Sequence, residues 1–456
     1  MASKSKRDLK IKAQANKKID FYLYAIPLAA VFIKVIVMAN TPDHGWLGAD
    51  GESYLSGVDG LISQGYFSDK EILSYWPAGY PILIWQLTKV SLVNLKWLIP
   101  LTQSFFYAYS CFYFTKQVSR TNLRRWVILI SVIITFNPTL SLSSMLVGYE
   151  NPIASCMMMI LGLILKSKLN TSGSGFKRLV LGVGLFCALA TLMQPRWILT
   201  SVVIAIIWAI TITNRKQQAL VLSLVIGVMA LAPLALVQRN SVAFQKNIIS
   251  TNLGITMSIG AGPETSGGYN KTGPGIPCEA KTSASKVSDS DLTKCVLKWY
   301  IQNPIDTLRL SVNKSFFFWS PWVGPMANGT MARNPWKKVN PIVKLASNSK
   351  AANDLINGNF GKATSIIWVF GGILLLITGF IWLFSSRGLL RALGILTLAP
   401  VVVSFLVSLG TIGDHRFRLP TMPLSLVLQV LGAIALYRRF KTGSFSSTLE
   451  TDAQAR

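Results

Sequence analysis

GADGESYLSGVDGLISQGYFS (residues 48–68), followed by YWPAGYPILI (75–84), is the stretch on which the reading of this chain turns. The surrounding loop, Thr41 to Tyr75, carries Asp43, Asp50, Glu52, Asp59, Asp69 and Glu71, six of the chain's 18 acids. It follows the first long apolar run, Phe21–Met38, directly, and no further acid appears until Glu150. Carboxylates are expensive near lipid, so a hydrophobic chain that masses them on one membrane-surface loop points to chemistry or ion handling there.

The rest of the chain supports a membrane setting. Half of it is hydrophobic (51%) and only 14% is charged, which is membrane territory rather than soluble globular. The net charge of +27 raises nucleic acid as a partner, but the basic residues lie in short clusters between apolar runs rather than along one stripe, which argues against it. Apolar windows at about 20–40, 95–118, 125–140, 150–167, 178–193, 196–213, 217–237, 364–384, 389–410 and 419–437 predict an all-α polytopic membrane protein of about ten transmembrane helices.

Basic clusters at Lys4–Lys18, Arg120–Arg125, Lys166–Arg178, Arg215–Lys216, Arg387–Arg391 and Arg438–Lys441 then fall on one side, the cytoplasm by the positive-inside rule. This alternation requires Pro77–Val90, short and broken by Pro and Gly, to be re-entrant or interfacial rather than a span. The predicted organisation is a cytoplasmic basic arm (1–19), an N-terminal transmembrane module (20–239) with its exterior loop at 41–76, an exterior loop domain (240–363), C-terminal transmembrane helices (364–437) and a cytoplasmic tail (438–456). Phe21–Met38 has no A-x-A-like site after it and reads as a retained signal anchor. The aromatic run FFFWSPW (Phe316–Trp322) reads as an interfacial element. Cys111, Cys156 and Cys187 fall in apolar runs as packing residues, whereas Cys278 and Cys295 share the polar segment and are candidates for a disulfide.

Within the acidic loop, Tyr54, Val58, Leu61 and Ile62 recur at helical spacing and predict a short surface helix that Asp50 opens. The bland alternative makes Asp50 an N-cap and Glu52 a first-turn acid. Farther along, Glu150 opens a span in GYENP, Arg196 follows Pro195 at a helix junction, and His415, Arg416 and Arg418 precede the last span in DHRFRLPTMP. A zinc site from Asp43, His44, Asp414 and His415 lacks any recurring ligand spacing.

The order of these features resembles the GT-C membrane glycosyltransferases, which use polyprenyl-phosphate sugars and include protein O-mannosyltransferases and lipid A aminoarabinose transferases. The resemblance covers most of residues 20–240 and again 411–437. It implies a GT-C-like fold in which the acid after the first span, here Asp50, sits at the catalytic centre. Pro77, Gly79, Tyr80 and Pro81 match the following short helix. DHRFRLPTMP resembles an R-[YF]-R-x-P-x-x-P pattern, while the Pro195–Arg196 order and the Asp50–Gly51–Glu52 spacing depart from the usual ones.

The implied reaction needs no general acid, because a lipid phosphate is already a good leaving group. It needs a carboxylate to accept the proton of an acceptor hydroxyl, and cations for the departing phosphate. Asp50 and Glu52 are the catalytic candidates. Tyr54, Tyr80, Glu150, Arg196, His415, Arg416 and Arg418 are the candidates for phosphate and substrate binding. Arg416 and Arg418, two apart in an extended stretch, are expected to point the same way and share one phosphate.

The expected partners are a polyprenyl-phosphate-linked sugar, a lipid, glycan or protein acceptor and membrane lipids, at the bacterial inner membrane. No cofactor is implied, and a divalent metal is possible without being indicated. A transporter or flippase of lipid-linked or anionic solutes is the alternative. Cysteine labelling should place Asp50, Glu150, the 240–362 segment and Arg416 on one face and both termini on the other; a full span at Pro77–Val90 would separate Asp50 from Glu150.

Overall fold

The computed structural model describes residues 2–40, 47, 50–90, 95–169, 173–268, 288–321 and 348–442, the side chains of 2–17, 173–174 and 442 excepted. Among the described residues the chain is helical, and its one extended pairing is an isolated bridge between Gly268 and Gly413. Seven helical stretches are long and apolar enough to cross a membrane: Lys18–Asn40, Glu150–Leu169, Gly175–Met193, Arg215–Phe244, Lys350–Ser385, Gly388–Gly410 and His415–Lys441. The protein is therefore a helical, multi-pass membrane protein.

In chain order the helices are α1 (Ala2–Asn40), α2 (Gly51–Gln64), α3 (Ile72–Tyr75), α4 (Gly79–Thr88), α5 (Leu95–Val118), α6 (Val127–Phe136), α7 (Pro138–Ser143), α8 (Glu150–Leu169), α9 (Gly173–Met193) and α10 (Trp197–Ile210). They continue with α11 (Arg215–Phe244), α12 (Leu253–Ile259), α13 (Asp289–Gln302), α14 (Pro304–Trp319), α15 (Lys350–Asn357), α16 (Asn359–Ser385), α17 (Leu389–Gly410), α18 (His415–Arg418) and α19 (Met422–Thr442). The three remaining predicted windows are filled by the more polar α5 and by the shorter α6 and α10. The window at 125–140 is not one helix. Asn137 leaves helical geometry before Pro138 and accepts from the Leu140 amide at 3.1 Å, so α6 stops after 10 residues, about 15 Å of rise.

At the centre stands α8, buried along most of its length and packed on α5 and α9. Lipid tails are as apolar as leucine, so close packing and interhelical hydrogen bonds hold such helices together rather than a hydrophobic drive. Asn151 supplies one of these bonds, donating to the Leu140 carbonyl at 2.9 Å. Cys111, Cys156 and Cys187 are buried free thiols in this packing, as their apolar surroundings predicted.

The stretch after Asp50 forms α2, with Tyr54, Val58 and Leu61 buried as the spacing predicted and Gly51, Gly57 and Gly60 completing the inner face. Ile62 instead stays 46% exposed. Short α4 packs on α2, α5 and α9 rather than crossing the bundle. Gly79 is what lets it: a Cβ there would stand 1.8 Å from the Leu192 carbonyl oxygen of α9. Gly79→Ala should therefore destabilise the protein by about 1–3 kcal/mol, read as a lower unfolding temperature in detergent. Gly371→Ala, in α16 with nothing within 4 Å of the new methyl, should not.

Candidate active site

Asp50 occupies the N-cap position of α2, yet its side chain makes no capping hydrogen bond. Its carboxylate instead accepts from Arg416 Nη1, and Arg416 Nε donates to Glu150 Oε1. Arg416 Nη2 donates to Tyr54 Oη at 3.2 Å. One guanidinium thus bridges two carboxylates that lie 100 residues apart in sequence, each at the N-terminus of a helix, where the helix dipole favours negative charge. The side chains of Asp50, Glu150 and Arg416 are only 20%, 9% and 14% exposed, so solvent screens the cluster weakly.

Aromatic rings form the floor. Tyr54 meets Tyr80 edge to face at 5.2 Å, Tyr149 at 6.1 Å and Trp76 at 6.0 Å, and the Arg416 guanidinium stands 5.2 Å from the Tyr149 ring centre. Burial pushes the Tyr54 phenol well above its ordinary range, so it stays protonated and neutral. Tyr80 accepts from the Gly148 amide at 2.8 Å, and Gln103 donates to the Leu146 carbonyl at 2.8 Å. These two bonds fix the turn that launches Glu150. Gln194 donates to Tyr149 Oη at 2.9 Å and ties in the end of α9.

The other candidates sit around this cluster in different ways. Arg196 lies 4.0 Å from the Phe417 ring centre and 5.8 Å from that of Tyr149, with Nη2 buried and without a hydrogen-bond partner. Burial lowers the hold of that guanidinium on its proton, the nearby Arg416 acts in the same sense, and Tyr149 and Glu150 oppose it. Arg416 and Arg418 do not converge. Residues 415–418 form a helical turn capped by Asp414, which accepts from the Arg416 amide at 2.8 Å, so side chains two apart diverge.

Arg418 is buried elsewhere, 4.8 Å from the Trp319 ring and donating to the Trp319 carbonyl at 3.4 Å. His415 is buried with neither ring nitrogen hydrogen-bonded. Glu52 is exposed on the first turn of α2 and makes no ion pair among the described residues. Asp43, His44 and Cys278 lie outside the described residues, while Cys295 on α13 is disulfide-bonded. Among the described residues no group of three His, Cys, Asp or Glu side chains is placed to hold a metal ion.

Three further buried polar residues were not singled out in the sequence. Arg239, fully buried at the end of α11, donates to the carbonyls of Tyr66 at 3.1 Å, of Leu73 at 3.5 Å and of Ser68, and to Asn240 Oδ1 at 2.7 Å. It staples the loop behind α2. The available signal was an arginine at the end of a span that the charge pattern leaves non-basic. Lys34, inside the first apolar window, donates to Ser144 Oγ at 2.7 Å, and Ser144 lies 3.0 Å from Ser104. An ionisable residue in a span is itself the signal. The third, Lys314 on α14, is buried, and burial pulls its ammonium down to about 7.

A solved structure with overall similarity to the chain is that of the Archaeoglobus fulgidus oligosaccharyltransferase, crystallised with an acceptor peptide containing the NVT sequon tethered by a disulfide. The identity is 12% and the TM-score 0.48, over 93% of this chain and 51% of that one. The chain thus spans about half the length of that protein. No protein-family model and no curated protein matches the chain.

Arg416→Lys keeps the charge but cannot bridge Asp50, Glu150 and Tyr54 together, and should lower stability by about 1–3 kcal/mol. Arg418→Lys, which retains charge beside Trp319, should cost less. Thermal unfolding of the two variants beside the parent checks this, and an Arg416→Lys variant as stable as the parent would show that the bridge holds nothing.

Proposed function

We propose that the protein is a GT-C-type membrane glycosyltransferase that moves a sugar from a polyprenyl-phosphate donor to an acceptor hydroxyl. The observation that carries the reading is the meeting of Asp50, Glu150 and Arg416 at one end of the bundle. These are the residues of three motifs that resemble that class, and Asp50 forgoes its cap to take part.

In the proposed reaction the acceptor oxygen attacks the anomeric carbon and its proton passes to the Asp50 carboxylate. The bond from the anomeric carbon to the phosphate oxygen breaks with its electron pair going to the phosphate, and the configuration inverts. Arg416 and Arg196 are the cations for that departing phosphate, and the unpartnered Arg196 Nη2 gives it a free donor. Glu150 holds Arg416 in register. Glu52, exposed on the first turn of α2, has no role in this scheme. By the charge pattern the site lies on the face away from the cytoplasm.

Asp50→Asn should reduce transfer by about 10²–10⁴-fold in a variant that still folds and unfolds cooperatively, because an amide cannot take the proton. Glu52→Gln should leave transfer close to the parent. The measurement is turnover in nanodiscs with a polyprenyl-phosphate sugar, and near-parental turnover by the Asn variant would remove Asp50 from the chemistry.

A further inference from the structure

Lys314 closes a joint between the segment that follows α11 and the turn that carries Arg416. Its ammonium donates to three oxygens: Tyr300 Oη at 2.9 Å, the Leu409 carbonyl at 2.9 Å and the Thr411 carbonyl at 2.7 Å. The two carbonyls belong to the C-terminal end of α17, where a helix leaves its acceptors unsatisfied and its dipole favours a cation. The stem of Lys314 runs between Gly267 and Gly413. A Cβ on Gly413 would stand 2.6 Å from Lys314 Cα, and one on Gly267, at φ +84°, would stand 3.0 Å from Lys314 Cγ. Across the same joint the Gly413 amide donates to the Gly267 carbonyl at 2.8 Å.

This fit matters because a buried ammonium is tolerated only where oxygens surround it. Lys314 is 1% exposed and forms no ion pair among the described residues, so the three acceptors it holds must keep their places. Two of them and Gly413 bracket the turn at 409–413. Asp414 then caps the single helical turn that projects Arg416. The height of Arg416 over Asp50 and Glu150 is therefore set by where this turn is held.

We propose that Lys314 is a positioning residue for Arg416. Through its ammonium the segment after α11 grips the α17–α18 turn and keeps the guanidinium between the two carboxylates. The inference rests on the proposed transferase reading only in the ligand arm of its test.

The test is a double-mutant cycle on the full-length protein in nanodiscs. It uses Lys314→Met, Arg416→Gln and their combination, with Arg239→Gln and its combination with Lys314→Met as the control for a joint elsewhere. Binding of undecaprenyl phosphate and the unfolding temperature are measured for each. Lys314→Met should weaken binding about tenfold when Arg416 is present and less than about twofold in the Arg416→Gln background, while its effect should be additive with that of Arg239→Gln.

Gly413→Ala, which drives a methyl into the same joint, should reproduce the loss and replaces Lys314→Met in the cycle if that variant does not fold. Additive effects at 314 and 416, or equal coupling to 239, would make Lys314 a general support and overturn the proposal. If the parent does not bind undecaprenyl phosphate, the transferase reading falls. Unfolding temperatures then decide the inference alone: 314 and 416 must be non-additive while 314 and 239 add.

Discussion

The arrangement depends on one guanidinium held between two carboxylates. Arg416 arrives on the turn between α17 and α19, Asp50 on the loop after α1, and Glu150 at the start of α8. Nothing local brings these segments together. Partly buried charges are stable only when paired and hydrogen-bonded, so the ends of the helices that carry them are drawn to a common point. The same pairing decides which ends of the bundle lie together: a chain that placed Asp50 and Glu150 on opposite faces could not form it.

Around that point the structure invests in supports for the backbone. Tyr80 and Gln103 hold the turn before Glu150, Arg239 holds the carbonyls behind α2, and Lys314 holds the end of α17. Each is a buried polar side chain directed at main-chain groups that helices and loops leave unpaired. In an apolar bundle such groups have no water to turn to, which gives a few well-placed polar side chains unusual leverage over loop position. The tyrosine floor of Tyr54, Tyr80 and Tyr149 adds packing area and one hydrogen-bond acceptor for Arg416.

The unequal fate of the arginines follows from local geometry. Arg416, Arg418 and Arg196 look alike as basic residues near span ends. One helical turn at 415–418 sends Arg416 to the carboxylates and Arg418 to Trp319, while Arg196 lies against Phe417 and keeps a donor free. Charge count gives no hint of this division of labour, because it depends on side-chain direction.

Much of the architecture was legible in the sequence. Long apolar windows and the spacing of Tyr54, Val58 and Leu61 read out as helices because hydrophobic periodicity is a local property. Within short, Pro-broken Pro77–Val90 lies the ten-residue α4, and Gly79 explains its close seat on α9. Asp50, Glu150 and Arg416 were legible as candidates, since charges beside apolar runs are conspicuous. Their meeting was not, and neither was the exposure of Glu52 on α2 or the divergence of Arg418, which turn on contacts between remote segments and on one capped helical turn. Arg239 and Lys314 were hidden for the same reason: most of their partners are backbone carbonyls, which every residue carries and no sequence distinguishes. Local sequence determined the helices and the charges; only the tertiary structure decided which charges share one site, because that pairing is settled by packing between segments far apart in the chain.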